Sequence, residues 1–237
     1  MEILAIIPVR GGSKGIPGKN IKPLAGEPLV AYSIKAAQKS KYVTRTIVST
    51  EDKTIKDVAL SYNAEVLDRP TELAQDETKT APVLLHVLEE LEKENYKPDV
   101  VVLLQATCPL RNEKELDEAF EIFFKNQPNG CDSVFAGKIL GTTHSKWRQN
   151  PITKEYECLF DYRNRPRRQD ESEHFPLLRE TGATYIIKTN VLKEVKDFIG
   201  KKPMVYFDGI CLDIDLPEDF EKAENLIIKR RENEIEK

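Results

Sequence analysis

The stretch Glu2–Asn20, EILAIIPVRGGSKGIPGKN, decides the fold. From Glu2 to Val9 it is a nearly continuous apolar run rich in isoleucine, the pattern of a strand buried on both faces rather than one with a solvated side. The run stops at a glycine-rich, basic stretch. A strand that feeds such a loop, with a helix to follow, is the opening unit of an α/β protein, in which ligands sit beyond the carboxyl ends of the strands.

The rest of the chain repeats this unit. Leu29, Ile34 and Ala37 mark a first helix, Thr46 to Val48 a second strand and Ile55 to Tyr62 a second helix. Val83, Leu84, Val87, Leu88 and Leu91 recur at helical spacing, Val100 to Leu104 reads as another buried strand, and Leu116, Ala119, Phe120 and Phe123 line a further helix face. Between about Gly137 and Arg179 aromatic, basic and proline residues mix and no long helix can be drawn, so 138–179 is expected to be an insertion within one domain spanning 1–237. The sheet is expected to resume with Thr184 to Ile187 and Cys211 to Ile214, and a last helix, Asp219 to Lys229, carries Phe220, Ala223, Leu226 and Ile227 on one face.

Composition narrows the partners. The chain has 237 residues, 40% hydrophobic and 32% charged, with a formal net charge of -4. That balance argues against general affinity for nucleic acid or an anionic membrane, whereas a small charged ligand is compatible with it. Cys108, Cys131, Cys158 and Cys211 show no CxxC spacing, and the N-terminal apolar run is too short for a signal peptide or a span, so a cytoplasmic protein with reduced thiols is expected.

Against that acidic background, Ile3 to Gly26 contains no Asp or Glu, while Arg10, Lys14, Lys19 and Lys22 accumulate. Gly11, Gly12, Gly15 and Gly18 allow backbone N–H groups to approach a ligand, and the cations suit a polyphosphate. Two familiar phosphate loops do not fit. Gly12 to Gly18 encloses five residues where a Walker A loop needs four, Asn20 follows Lys19 where it needs Ser or Thr, and GxGxxG is absent. Near the other end of the chain, Asp213 and Asp215 flank Ile214, so in an extended segment both carboxylates share a face and could hold one hard cation such as Mg²⁺. A second basic island, Tyr162 to Gln169, packs four arginines into six positions, a pattern for anion recognition by guanidinium forks or simply an exposed loop.

The run Arg10-Gly-Gly-Ser-Lys14-Gly-Ile-Pro-Gly-Lys19-Asn20 resembles the signature of acylneuraminate cytidylyltransferases, which make CMP-sialic acid and its bacterial relatives. Six further blocks continue the resemblance in family order over nearly the whole chain: Val48 to Thr50, Arg69 to Ala74, Leu104 to Arg111, Arg165 to Gln169, Gly182 to Tyr185 and Asp213 to Asp215. The resemblance implies a Rossmann-like, mostly parallel sheet with helices on both faces, and a homodimer in which the insertion reaches the partner's site. It implies that Asp213 and Asp215 hold Mg²⁺ on the triphosphate of CTP, and that the anomeric hydroxyl of an acidic nine-carbon sugar attacks the α-phosphorus and expels pyrophosphate. Arg10, Lys14 and Lys19 would then neutralise the triphosphate, with Asn20, Arg69 and Thr80 near the cytidine or ribose. Gln105 and Tyr185 are expected sugar contacts, Arg167 and Arg179 are expected at the acid sugar or phosphate region, and Lys146 is a candidate sugar contact from the partner subunit. For Thr80 a place in a helix cap or first turn is an equal reading, and for Tyr185 plain packing in a half-buried strand is the more common one. Thr181 stands where many members carry asparagine, and sialic, legionaminic, pseudaminic and deaminated neuraminic acids all stay open as substrates. The extra C-terminal domain of the longer animal enzymes is not expected.

Three rival readings remain. Cytidylyltransferases for the eight-carbon acid Kdo or for methylerythritol phosphate have different first loops. A glycosyltransferase with a DxD motif would not consume CTP. A nucleotide-binding module without turnover would have no need of both Asp213 and Asp215.

Overall fold

The computed structural model describes residues 1–13, 15–140, 147–158, 163, 177–209 and 211–235. Seven strands form one sheet: β1 (Ile3–Pro8), β2 (Arg45–Thr50), β3 (Glu65–Asp68), β4 (Val100–Leu104), β5 (Ser133–Leu140), β6 (Leu177–Lys188) and β7 (Pro203–Phe207). Their spatial order is β7-β5-β6-β4-β1-β2-β3, and only β6 runs against the others. The helices are α1 (Leu29–Lys39), α2 (Lys53–Ser61), α3 (Thr80–Lys93), α4 (Glu113–Asn126), α5 (Thr189–Val195) and α6 (Pro217–Ile235). The expected α/β class with a mostly parallel, two-sided sheet is what the chain adopts.

Alternation along β1 builds the two layers. Ile3, Ala5 and Ile7 face α1, α2 and α4, in one core cluster with Val30, Ile34, Phe120 and Phe123. Leu4 and Ile6 face the opposite side, with Leu84, Val87, Leu88 and Leu91 of α3. A strand with both faces covered has no polar side to write into its sequence, which is why this run is continuous.

The chain leaves β1 to build β2 and β3 on one side and returns to place β4 on the other, so β1 and β4 are neighbours at the point where the strand order reverses. Beyond their carboxyl ends lies the crevice such sheets use for ligands. The flanking helices start by local chemistry: the Asp52 side chain accepts from the N–H of Ile55 at 2.9 Å, and Asn112 and Glu115 form a reciprocal capping box.

Several boundaries differ from the sequence expectations. Cys211 to Ile214 is not a strand: the final strand is Pro203–Phe207, and 211–215 is an extended connection whose Ile214 N–H donates to the Thr107 carbonyl at 2.9 Å. Its apolar residues signal burial, which a single-sided connection satisfies as well as a ladder does. The last helix starts at Pro217 and runs to Ile235, and β3 and β7 at the two edges, the short α5 and the internal β5 carry no clear period. Within 138–179, β5 continues to Leu140, β6 begins at Leu177, and a hairpin pairs Trp147–Gln149 with Tyr156–Cys158.

Candidate functional site

Two adjoining cavities open at the carboxyl edge of β1 and β4. The first, of about 430 Å³, is bounded by the loop after β1 (Arg10, Ser13, Gly15, Lys19, Asn20), by Arg69, by the 73–80 segment with Thr80, and by Gln105 and Asp215. The second, of about 540 Å³, is bounded by Gln105, Arg179 to Gly182, Tyr185 and the 211–215 connection. Gln105 and Asp215 belong to both walls.

The loop after β1 is fastened from several sides. Asn20 is buried, and its amide donates to the Arg10 carbonyl at 3.0 Å. Lys19 Nζ donates to the Ile214 carbonyl at 2.5 Å and lies 3.6 Å from Asp215 Oδ1, tying the glycine-rich loop to the acidic connection. A Cβ on Gly15 would come within 2.7 Å of the Asp215 carbonyl oxygen, so only glycine permits this approach. Ile16 and Ile214 share a small apolar cluster with Leu24, Leu29, Leu110 and with Phe220, Ala223 and Ile227 of α6. The C-terminal helix therefore anchors both the basic loop and the acidic pair on one hydrophobic patch, each buried side chain stabilising by about 2 kcal/mol.

Arg69 is buried under the first cavity. Its guanidinium donates to the Val9 carbonyl (3.1 Å), the Ser49 carbonyl and the Ser49 hydroxyl (3.3 Å), clasping the ends of β1 and β2. Burial lowers its pKa, partly offset by the Glu51 carboxylate. Arg10 is half-exposed and pairs at 2.6 Å with Asp76 on the opposite wall. Thr80 is the first residue of α3, and Lys79, which precedes it, makes no side-chain cap, so the helix N-terminus faces the cavity. That end favours anions.

Asp213 and Asp215 flank the fully buried Ile214 and both line the second cavity. Burial pushes the Asp213 carboxyl above the usual aspartate range and neighbouring Asp215 adds to this, while the Thr107 hydroxyl, Lys19 and Arg179 pull it back. A pair whose mutual repulsion is only partly relieved is suited to a divalent cation. No set of three or more metal-ligating side chains occurs among the described residues. Two carboxylates completed by phosphate oxygens and water suit Mg²⁺ rather than a protein-only cage.

In the second cavity, Gln105 directly follows β4, and Gly182 (φ +78°) brings β6 so close that a Cβ there would lie 3.0 Å from Gln105 Oε1. Tyr185 is buried in the core cluster, and its hydroxyl donates to Glu180 Oε2 at 3.0 Å, so it is packed and also lines the cavity. Lys14, Lys146 and Arg167 fall outside the described residues. Lys79, Asp76, Thr107 and Glu180 line these walls without having been singled out in the sequence. The proximity of Asp76 to Ala74, the end of a family block, was the only available signal.

The cytidylyltransferase family model matches residues 4–235. The chain belongs to the cytidylyltransferase family. Among the relatives it resembles is N-acylneuraminate cytidylyltransferase A of Danio rerio, 35% identical over 236 residues, covering 96% of this chain and 51% of that protein. The chain thus spans about half the length of that relative. Pseudaminic acid cytidylyltransferase of Campylobacter jejuni subsp. jejuni is 33% identical over 238 residues, covering 95% of this chain and 96% of that one. Among solved structures, CMP:2-keto-3-deoxy-manno-octonic acid synthetase complexed with CTP superposes with a TM-score of 0.72 over 97% of this chain and 100% of that chain. At 15% identity that likeness establishes the shared cytidylyltransferase fold. No helix among the described residues is long and apolar enough to cross a membrane.

Proposed function

We propose that the protein transfers CMP from CTP to the anomeric hydroxyl of an acidic nine-carbon sugar of the sialic acid type, with Mg²⁺, releasing pyrophosphate. The observation that carries this reading is the pair of cavities sharing Gln105 and Asp215: one has cationic groups and a helix N-terminus suited to a triphosphate, the other an arginine suited to an acid. The names of the nine-carbon sugar enzymes among its relatives support the substrate class.

In this reading CTP lies along the first cavity, with Arg10 and Lys19 on the phosphates and Arg69, Asn20 and Thr80 toward the nucleoside. The sugar occupies the second, its carboxylate on Arg179, with Gln105 and Tyr185 beside it. The anomeric hydroxyl loses its proton to water as its oxygen forms a bond to the α-phosphorus and the bond to the bridging oxygen breaks, and charge develops on the departing pyrophosphate. This chain's task is to align the two reactants and neutralise that charge, so no covalent nucleophile is needed. Asp213 and Asp215 would hold Mg²⁺, which when bound supplies charge neutralisation at the phosphates. By resemblance Lys14 adds a cation at the bridging oxygen, and Lys146 and Arg167 reach the sugar.

A homodimer formed through 138–179 belongs to the same reading, supported by the exposed Ile139, Leu178 and Phe207 at the outer end of the sheet. So does a cytoplasmic location, with which the free thiols of Cys108, Cys131 and Cys211 agree.

The test is pyrophosphate release from CTP and Mg²⁺ with a panel of nine- and eight-carbon acid sugars, using ATP, GTP and UTP as controls. Release with CTP and a nine-carbon acid is expected. Silence with every sugar, while CTP still binds, would instead support a noncatalytic nucleotide module.

A further inference from the structure

Resting on that reading, we propose that Glu180 is a specificity residue, whose carboxylate accepts a hydrogen bond from an N–H or O–H donor of the sugar. The cavity then takes acid sugars that present such a donor, and no second anion, on the side away from their own carboxylate.

The argument begins with the charges lining the second cavity. Among the described residues they are Arg179 against Glu180, Asp213, Asp215 and Asp219. Three of these carboxylates have evident work. Asp213 and Asp215 flank Ile214 beside Lys19, and Asp219 Oδ2 accepts the N–H groups of Asp215 and Leu216 at the start of α6. Glu180 does not cap a helix, and no Lys or Arg among the described residues pairs with it. Its one partner among the described residues is the Tyr185 hydroxyl at 3.0 Å.

That partner fixes its place. The Tyr185 ring is buried and meets Phe198 edge-on, with centroids 4.6 Å apart, so the phenol cannot swing. A carboxylate has about four acceptor positions, and this contact uses one. The rest lie on an exposed side chain that borders the cavity.

The backbone provides for the same placement. The β6–β5 register shifts between Glu180 and Tyr185, and within that stretch Gly182 takes its positive φ against Gln105. Irregularities of this kind re-aim side chains at the edge of a site. Arg179 and Glu180, the last two residues in register before the shift, both border the one cavity. The sugar's carboxylate is drawn to Arg179 and repelled by Glu180, so Glu180 meets the donor-bearing part of the molecule.

The experiment compares wild type with Glu180→Gln and Glu180→Ala at saturating CTP and Mg²⁺. The sugars are the best acid of the panel and analogues in which each amide N–H or hydroxyl is removed in turn. Both variants should lose roughly tenfold in kcat/KM for the sugar, the worth of one charge-assisted hydrogen bond. The CTP KM should stay within about twofold, and the melting temperature should fall by no more than about 4 °C, the worth of the one hydrogen bond from Tyr185. One analogue should be equally poor with wild type and variants, identifying the donor. Unchanged sugar KM in a well-folded, active Glu180→Ala protein would overturn the inference and leave the transfer reading standing. No turnover by wild type with any acid sugar would overturn both.

Discussion

Replacing Arg69 with leucine separates the two tasks its position implies, holding the sheet together and walling the first cavity. In the folded protein its guanidinium makes three hydrogen bonds, to the Val9 carbonyl and to the carbonyl and hydroxyl of Ser49. At about 1 kcal/mol net each, these contribute roughly 3 kcal/mol. The Ser49 carbonyl keeps the Val9 N–H as a partner at 2.9 Å, but the Val9 carbonyl would face leucine. Against this, burying the guanidinium is itself costly, as its lowered pKa indicates. The net expectation is a loss of about 2 kcal/mol, or about 4–8 °C in melting temperature for a domain of this size. Urea denaturation followed by circular dichroism measures it, with CTP affinity determined on the same samples below the transition. Leucine fills most of the volume, so the change reports the clasp rather than a cavity. A variant that binds CTP poorly at wild-type stability would refute the clasp and leave Arg69 as a ligand contact alone.

Asp215→Ala should reduce Mg²⁺-dependent turnover by at least about a hundredfold with little change in melting temperature, because its side chain is 73% exposed; full activity would remove the metal assignment. Gly182→Ala places a side chain at φ +78° and 3.0 Å from Gln105 Oε1. It should cost about 1–2 kcal/mol in chemical denaturation and raise the sugar KM more than the CTP KM, and a neutral result would show that β6 can relax there. Asp208, held by the Thr181 hydroxyl at 2.6 Å, has its pKa raised chiefly by burial. A carboxyl raised in the folded state contributes stability below its unfolded pKa, near 3.9, and that contribution is lost as pH rises through the folded value. Asp208→Asn should therefore melt higher than wild type at pH 7, with the advantage shrinking toward pH 4; a constant difference across that range would contradict the assignment.

Much of the sheet was legible where burial is two-sided. Ile3–Pro8 and Val100–Leu104 pack helices on both faces, so their apolar runs are unbroken, and the helices between them carry a clean 3.6-residue stripe. Strands with mixed environments were not legible: β3 at one edge has half its residues exposed, and β7 at the other is mostly so. The Cys211–Ile214 segment misled for the opposite reason, since an apolar pattern reports burial and not hydrogen-bond partners.

The sequence by itself determined the class of the fold, the basic loop and the acidic pair, because local period, glycine spacing and charge exclusion are properties of neighbouring residues. What only the tertiary structure decided is which distant groups meet: Lys19 with Ile214 and Asp215 across nearly the whole chain, Arg10 with Asp76, Gln105 with Gly182, and Glu180 with Tyr185 across the bulge. Apart from the last, these contacts depend on the strand order and on the docking of α6 against Ile16 and Ile214. Strand order and docking are set by the summed burial of the whole core, which no short window of sequence contains.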